Sequence, residues 1–199
     1  MGSQASGFVL FTPLLNLTAA RASMQPLTDF ANSLGTVPLN NSVETEPSFY
    51  QAYQKYLVPN EEKVGISLAL GSRLFQKSAF EGAANQQAVT NTLVNVTHQL
   101  NFPTGTLNPL VFGYGAPFQI LVTAPSSYQL PAEGDTSSVT PAWRTATWHV
   151  IAGVGISNQA SAADYTAAFQ KAHALADSMT SAAGTVAYVQ TTFCKITDS

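Results

Sequence analysis

Val64-Gly65-Ile66-Ser67-Leu68-Ala69-Leu70-Gly71-Ser72 alternates without a break: Val64, Ile66, Leu68 and Leu70 share one face, and Gly65, Ser67, Ala69 and Gly71 share the other. A period of two is the pattern of a β-strand whose faces meet different surroundings. The large side chains ask for a covering layer. The small ones admit something that must come close to the backbone.

Outward from this strand the periods switch between two and 3.6. Residues 83 to 101 carry Val89, Leu93, Val96 and Leu100 at spacings of four, three and four, one apolar stripe on a helix. Residues 107 to 114 and 117 to 124 read as strands flanking Gly113-Tyr114-Gly115-Ala116, and a Gly/Pro/Ser/Asp-rich loop covers 125 to 141. A longer strand is expected from Arg144 to Ile156. Ser161 with Asp164 opens a helix to about 182, whose stripe is Tyr165, Phe169, Ala172, Ala176 and Met179. Gly184 stops it, and Thr185 to Gln190 reads as a last strand.

Toward the N-terminus, Thr18 caps a helix running to Leu34, with Met24, Leu27, Phe30, Ala31 and Leu34 as its stripe and Pro26 within it. Pro47-Ser48 opens a short helix bearing Tyr50, Tyr53 and Leu57. Phe8 to Leu17 is apolar, but no basic residue precedes it and Pro13 and Asn16 interrupt it, so it reads as a buried strand rather than a signal segment. The expected fold is α+β: an antiparallel or mixed sheet with helices packed on one face and the other face open to a ligand or partner. One domain over residues 1–199 is expected, with 1–6 as an N-terminal tail and 191–199 as a divergent C-terminal tail.

Composition narrows the functions. The 8 Lys+Arg and 11 Asp+Glu make 10% of 199 residues, the net charge is −3, and 45% of the chain is apolar. Ordinary soluble domains are about 25% charged; here 21 Thr and 18 Ser supply the polarity instead. Eight scattered cations give no basic stripe for phosphates, which excludes a nucleic-acid binder of that kind. No apolar run reaches the roughly 18 residues of a membrane span. The single Cys194 makes neither an internal disulfide nor a multi-cysteine zinc site, and His98, His149 and His173 lie too far apart for a metal motif. The expected location is the cytoplasm. Secretion is the alternative that would give meaning to the Asn-x-Ser/Thr acceptors at Asn16, Asn40 and Asn95, and N-myristoylation the one that fits Gly2 with Ser6.

No GxSxG elbow, phosphate loop or HExxH is present. Polar side chains projected on the open sheet face give the candidates. With Ser67 marking that face, alternation adds Tyr114, Gln119, Thr145, Thr147, His149 and Tyr188. His149 is the natural acid-base group, its pKa lying near working pH, with Tyr114 and Tyr188 beside it as acid-base or orienting phenols. Ser67, Arg73, Gln119, Thr147 and Trp148 are the substrate-binding candidates: Trp148 as a stacking wall, and Arg73 either holding an anionic group or solvated at a strand end.

Two stretches resemble a known family. Gly71-Ser72-Arg73-Leu74 followed by Gln76-Lys77-Ser78-Ala79-Phe80-Glu81, and Ser138-Val139-Thr140-Pro141-Ala142-Trp143-Arg144 leading to Trp148-His149-Val150, are similar to the substrate-binding domain of fungal FAD-linked oxidoreductases of the berberine-bridge-enzyme type, in the vanillyl-alcohol-oxidase superfamily. Thr140 stands where that family usually has Asn. Asn16-Leu17-Thr18 and Ala183-Gly184-Thr185-Val186-Ala187-Tyr188 add to the likeness, which spans about residues 8 to 190. Nothing resembles the N-terminal FAD-binding domain, so the resemblance implies a substrate-binding domain alone, its open face being the one that roofs the flavin and substrate in a full-length oxidase.

Three functions fit. The domain acts without flavin as a cyclase or isomerase in fungal secondary-metabolite biosynthesis, by proximity and a few hydrogen bonds. Alternatively it is the substrate half of a split oxidase, with FAD supplied by a partner chain docked on the open face. Third, it is a non-catalytic binding or scaffold protein, a homodimer through that face. No cofactor or metal of its own is expected.

Overall fold

The computed structural model describes residues 10–35, 42–58, 67–100, 118–122, 141–157, 159–184 and 192–194. Contacts group them into two compact units, Gln4–Asn60 and a larger one holding everything described from Ser67 on.

The smaller unit contains helix α1 (Leu17–Ser33) and the short helix α2 (Phe49–Ala52), which continues as a π-helical turn over Tyr53–Leu57. Asn16, not Thr18, caps α1, its side chain accepting from the Ala19 N–H at 2.9 Å. Residues 10–16 form no strand, and Leu10, Leu14 and Leu15 are exposed, which corrects the expected buried strand. Pro13 has no N–H to give a ladder, and Asn16 is committed to the cap. No residue of α1 is buried; Phe30 of its apolar stripe is 60% exposed.

The larger unit is a four-stranded sheet with helices, an α+β fold. Its elements are β1 (Ser67–Gln76), a 3-10 turn (Lys77–Phe80), α3 (Ala83–Leu100), β2 (Phe118–Val122), the single turn α4 (Ala142–Thr145), β3 (Ala146–Ile156), α5 (Ala162–Ser178), the turn α6 (Thr180–Ala183) and β4 (Thr192–Cys194). The order is β2-β3-β1-β4, and all three pairings are antiparallel. The expected strands at 107–114 and 185–190 lie outside the described residues. The segment expected to be a divergent tail contributes β4, paired to β1 from Leu68 to Leu70.

Alternation in β1 is borne out, but its small face is the covered one. A side chain at Gly71 would fall on the carbonyl oxygen of Ala172 and lie 3.2 Å from the Ala176 Cβ. Ala168, Ala172 and Ala176 make a small-residue stripe on α5, and Ala69 packs with Ala168 and Ala172. Small residues on both surfaces let helix and sheet approach. Ser67, Ala69, Gly71, Arg73 and Phe75 therefore face the helices, opposite Ile156, Val154, Ala152, Val150 and Trp148 of β3. Toward the C-terminal end of α5, Phe75, Val150, Leu175 and Met179 fill the core with Val89 and Val96 of α3. The capping box at the start of α5 is complete. Ser161 Oγ accepts from the Asp164 N–H at 3.3 Å, and Asp164 Oδ2 accepts from the Ser161 N–H at 2.8 Å.

Candidate functional site

Leu68, Leu70, Ser72 and Leu74 of β1 face away from α5, opposite Gly155, Gly153, Ile151 and His149 of β3, which in turn neighbour Gln119 and Leu121 of β2. Among the described residues α3 and α5 leave this face free, so it is the helix-free face in that sense, and it is not wholly bare. The turn α4 packs on one end of it: Leu74, Ala142 and Ala146 are buried together against Trp143. A register shift between Phe75 and Gln76 carries Ala146 to this side.

His149 sits at that covered end, 7% exposed, its ring in a T-shaped contact with Trp143 at 4.9 Å between centroids and 74° between planes. Its Nε2 is buried without a hydrogen-bond partner. Burial without a counter-charge pushes the imidazole pKa below its ordinary 6.5, so the ring is uncharged at neutral pH. A neutral imidazole with a partnerless nitrogen can accept or donate one hydrogen bond, and burial makes it a weaker base than a solvated histidine.

Of the predicted residues, Gln119 joins His149 on this face, half-buried, two positions along β2 from Leu121, the strand neighbour of His149. Thr147 lies within the bulge, unpaired and half-buried. Ser67 is corrected to the opposite face, because alternation fixed two faces without saying which one α5 covers. Trp148 also faces the helices. It packs on Phe80 at 4.5 Å and belongs to the core rather than to a wall beside His149.

Arg73 is neither at a strand end nor solvated: it lies inside β1 on the helix face, 3% exposed. Its Nη2 donates to Asp177 Oδ1 at 2.9 Å and to Thr180 Oγ1 at 3.0 Å, and its Nε donates to Thr180 Oγ1 at 3.1 Å. Burial lowers its pKa while Asp177 works against that, so the charge is held and Arg73 ties α5 and α6 to the sheet. Tyr114 and Tyr188 lie outside the described residues.

Sequence reasoning missed Ser72. It is 2% exposed on the His149 face, its Oγ without a partner. The signal was available, since the period of two extends past Gly71 and sets Ser72 with Leu70 and Leu74.

Two concavities are lined by none of the predicted residues. A cleft of about 660 Å³ in the smaller unit runs between α1 and residues 42–45, and one of about 150 Å³ lies between Ser78, Asn85 and Ser181. Among the described residues no group of His, Cys, Asp and Glu could hold a metal ion, and no helix is long and apolar enough to cross a membrane.

No family model matches the chain, and no solved structure matches it. The chain is similar to the FAD-linked oxidoreductase ffsJ of Aspergillus flavipes, 35% identical over 89 residues. The match covers 45% of this chain and 14% of that protein. The described sheet and its partnerless imidazole thus belong to a chain distantly related, over part of its length, to a FAD-linked oxidoreductase.

Proposed function

We propose that the protein binds a small secondary-metabolite substrate on the helix-free face and acts on it without a flavin of its own, as a cyclase or isomerase. The observation that carries this reading is His149: buried, uncharged, and with Nε2 unpartnered on the face away from the helices. The imidazole takes a proton from one atom of the substrate and returns it to another, so that bonds rearrange with no net oxidation. Apolar neighbours Leu70 and Ile151 hold the substrate's body close by.

A colourless preparation that converts a reactive polyene or quinone methide faster than buffer supports the proposal. His149→Ala should then lower the rate by about 10²–10⁴-fold with the fold retained. Turnover unaffected by that substitution removes His149 from the chemistry.

The likeness to a FAD-linked oxidoreductase favours one second reading, in which a separate flavin-bearing chain docks on this face and this chain supplies the substrate wall. A flavin spectrum gained on mixing with a flavoprotein, with activity only in the mixture, selects it over the first.

A further inference from the structure

The register places Ser72 beside His149. Ser72 pairs with Ile151 and His149 with Leu74, so the two are diagonal neighbours on one face of the β1–β3 ladder, about 7–8 Å apart by sheet geometry. Both are more than nine-tenths buried, and Ser72 Oγ and His149 Nε2 both lack a partner. Arg73 Nη1 is a third such atom, on the helix face and part of a guanidinium already bound to Asp177 and Thr180; the other two lie on one diagonal, the arrangement expected of a site that waits for a polar group. Around them stand Leu70, Leu74, Ile151 and Trp143, and no described strand position on this face carries a charge.

We propose that Ser72 and His149 together hold a single uncharged hydroxyl of an apolar ligand. A hydroxyl accepts and donates through one oxygen, so it can accept from Ser72 Oγ while donating to, or accepting from, the imidazole, and thus serves either tautomer. A carboxylate or ammonium would bring a charge that no described strand position on this face offsets. Gly153 and Gly155, opposite Leu70 and Leu68, put no side chain on the continuation of the face, which leaves a strip where a flat apolar body lies over the two leucines. The inference rests on the reading of the helix-free face as a small-molecule site, and it adds the chemical class of the ligand.

The test is titration of the full chain at pH 7.5 with 2-naphthol, naphthalene and 2-naphthoate, followed by equilibrium dialysis. The expected result is 2-naphthol bound about tenfold more tightly than naphthalene, and 2-naphthoate more weakly than either. Ser72→Ala should lose about five- to tenfold for 2-naphthol and nothing for naphthalene. Its melting temperature should hold or rise, because a partnerless buried hydroxyl has gone. Ser72→Cys, closer in shape, should lose 2-naphthol affinity in the same way, so the pair remains testable even if the alanine variant folds poorly. Equal affinity for 2-naphthol and naphthalene, or 2-naphthol binding that neither Ser72 variant alters, overturns the hydroxyl site and leaves the small-molecule face standing. Failure of all three probes to bind overturns both.

Discussion

His149 couples the stability of the sheet to pH as well as offering a proton acceptor. Burial favours its uncharged form, so its pKa in the folded chain lies below the ordinary 6.5. As pH falls through about 6.5 the unfolded chain takes up a proton that the folded chain refuses, so stability rises with pH below that point and levels off above it. Denaturant unfolding at pH 5.5 and 7.5 should show the folded state weaker at pH 5.5. In His149→Leu that difference should shrink, because the apolar side chain suits the contact with Trp143 and has nothing to titrate. An unchanged difference in the variant would assign the slope to other groups. Ser72 belongs to the same scale. Its hydroxyl is without a partner in the folded chain, whereas Arg73, the next residue, spends two of its nitrogens on Asp177 and Thr180. Adjacent positions on one strand thus serve opposite purposes, one toward the face that α5 leaves free and one toward the helices.

At the scale of elements, the contact between β1 and α5 positions the candidate site, because it decides which face of the sheet α5 covers. Gly71→Ala should be among the most damaging small substitutions, since its methyl group meets the Ala172 carbonyl and α5 must lift from the sheet. A loss of about 3 kcal/mol, the upper end for overpacking, is expected in denaturant unfolding. Asp177→Ala leaves the Arg73 guanidinium buried with only Thr180. It should cost about 1–3 kcal/mol, less than a fully buried pair because Asp177 is 54% exposed at its side chain. Ser161→Ala removes the capping box and should cost about 1 kcal/mol. Much of this was legible in the sequence. The stripes of α3 and α5, the Ser161/Asp164 start and the two-faced strand all appear in the spacing of apolar residues. Which face of β1 is covered was not legible from β1 alone, because a strand with large and small faces fits either arrangement. The deciding clue was on another element, the Ala168, Ala172 and Ala176 stripe that only small partners could meet. Arg73 was misplaced because the alternation of large and small stops at Ser72. Arg73 and Phe75 continue the small face with long side chains, where they reach Asp177 and Met179 near the end of α5.

For the whole molecule, charge and burial make separate claims. With only 10% charged residues and a net charge of −3, long-range fields contribute little, so binding of an uncharged ligand should change less than twofold between about 50 and 500 mM salt. Burial differs sharply between the two units. In the larger one, β1 holds Ala69, Leu74 and Phe75 at 0% exposure, and its pairing with β3 runs from Ser67 to Gln76. In the smaller, α1 has 17 residues, none of them buried, with Pro26 interrupting its ladder and Leu27, Phe30 and Leu34 exposed. An isolated helix of this length is marginal in water, since most helical stability in proteins comes from burying an apolar face. The two units should therefore open with very different free energies. Hydrogen exchange followed by mass spectrometry should show peptides spanning residues 17–33 exchanging at least about a hundredfold faster than those spanning 67–76 and 146–156. If α1 exchanges as slowly as β1, its apolar stripe is covered in solution. Dilution then identifies the cover, because protection supplied by a second chain falls with protein concentration and protection within one chain does not.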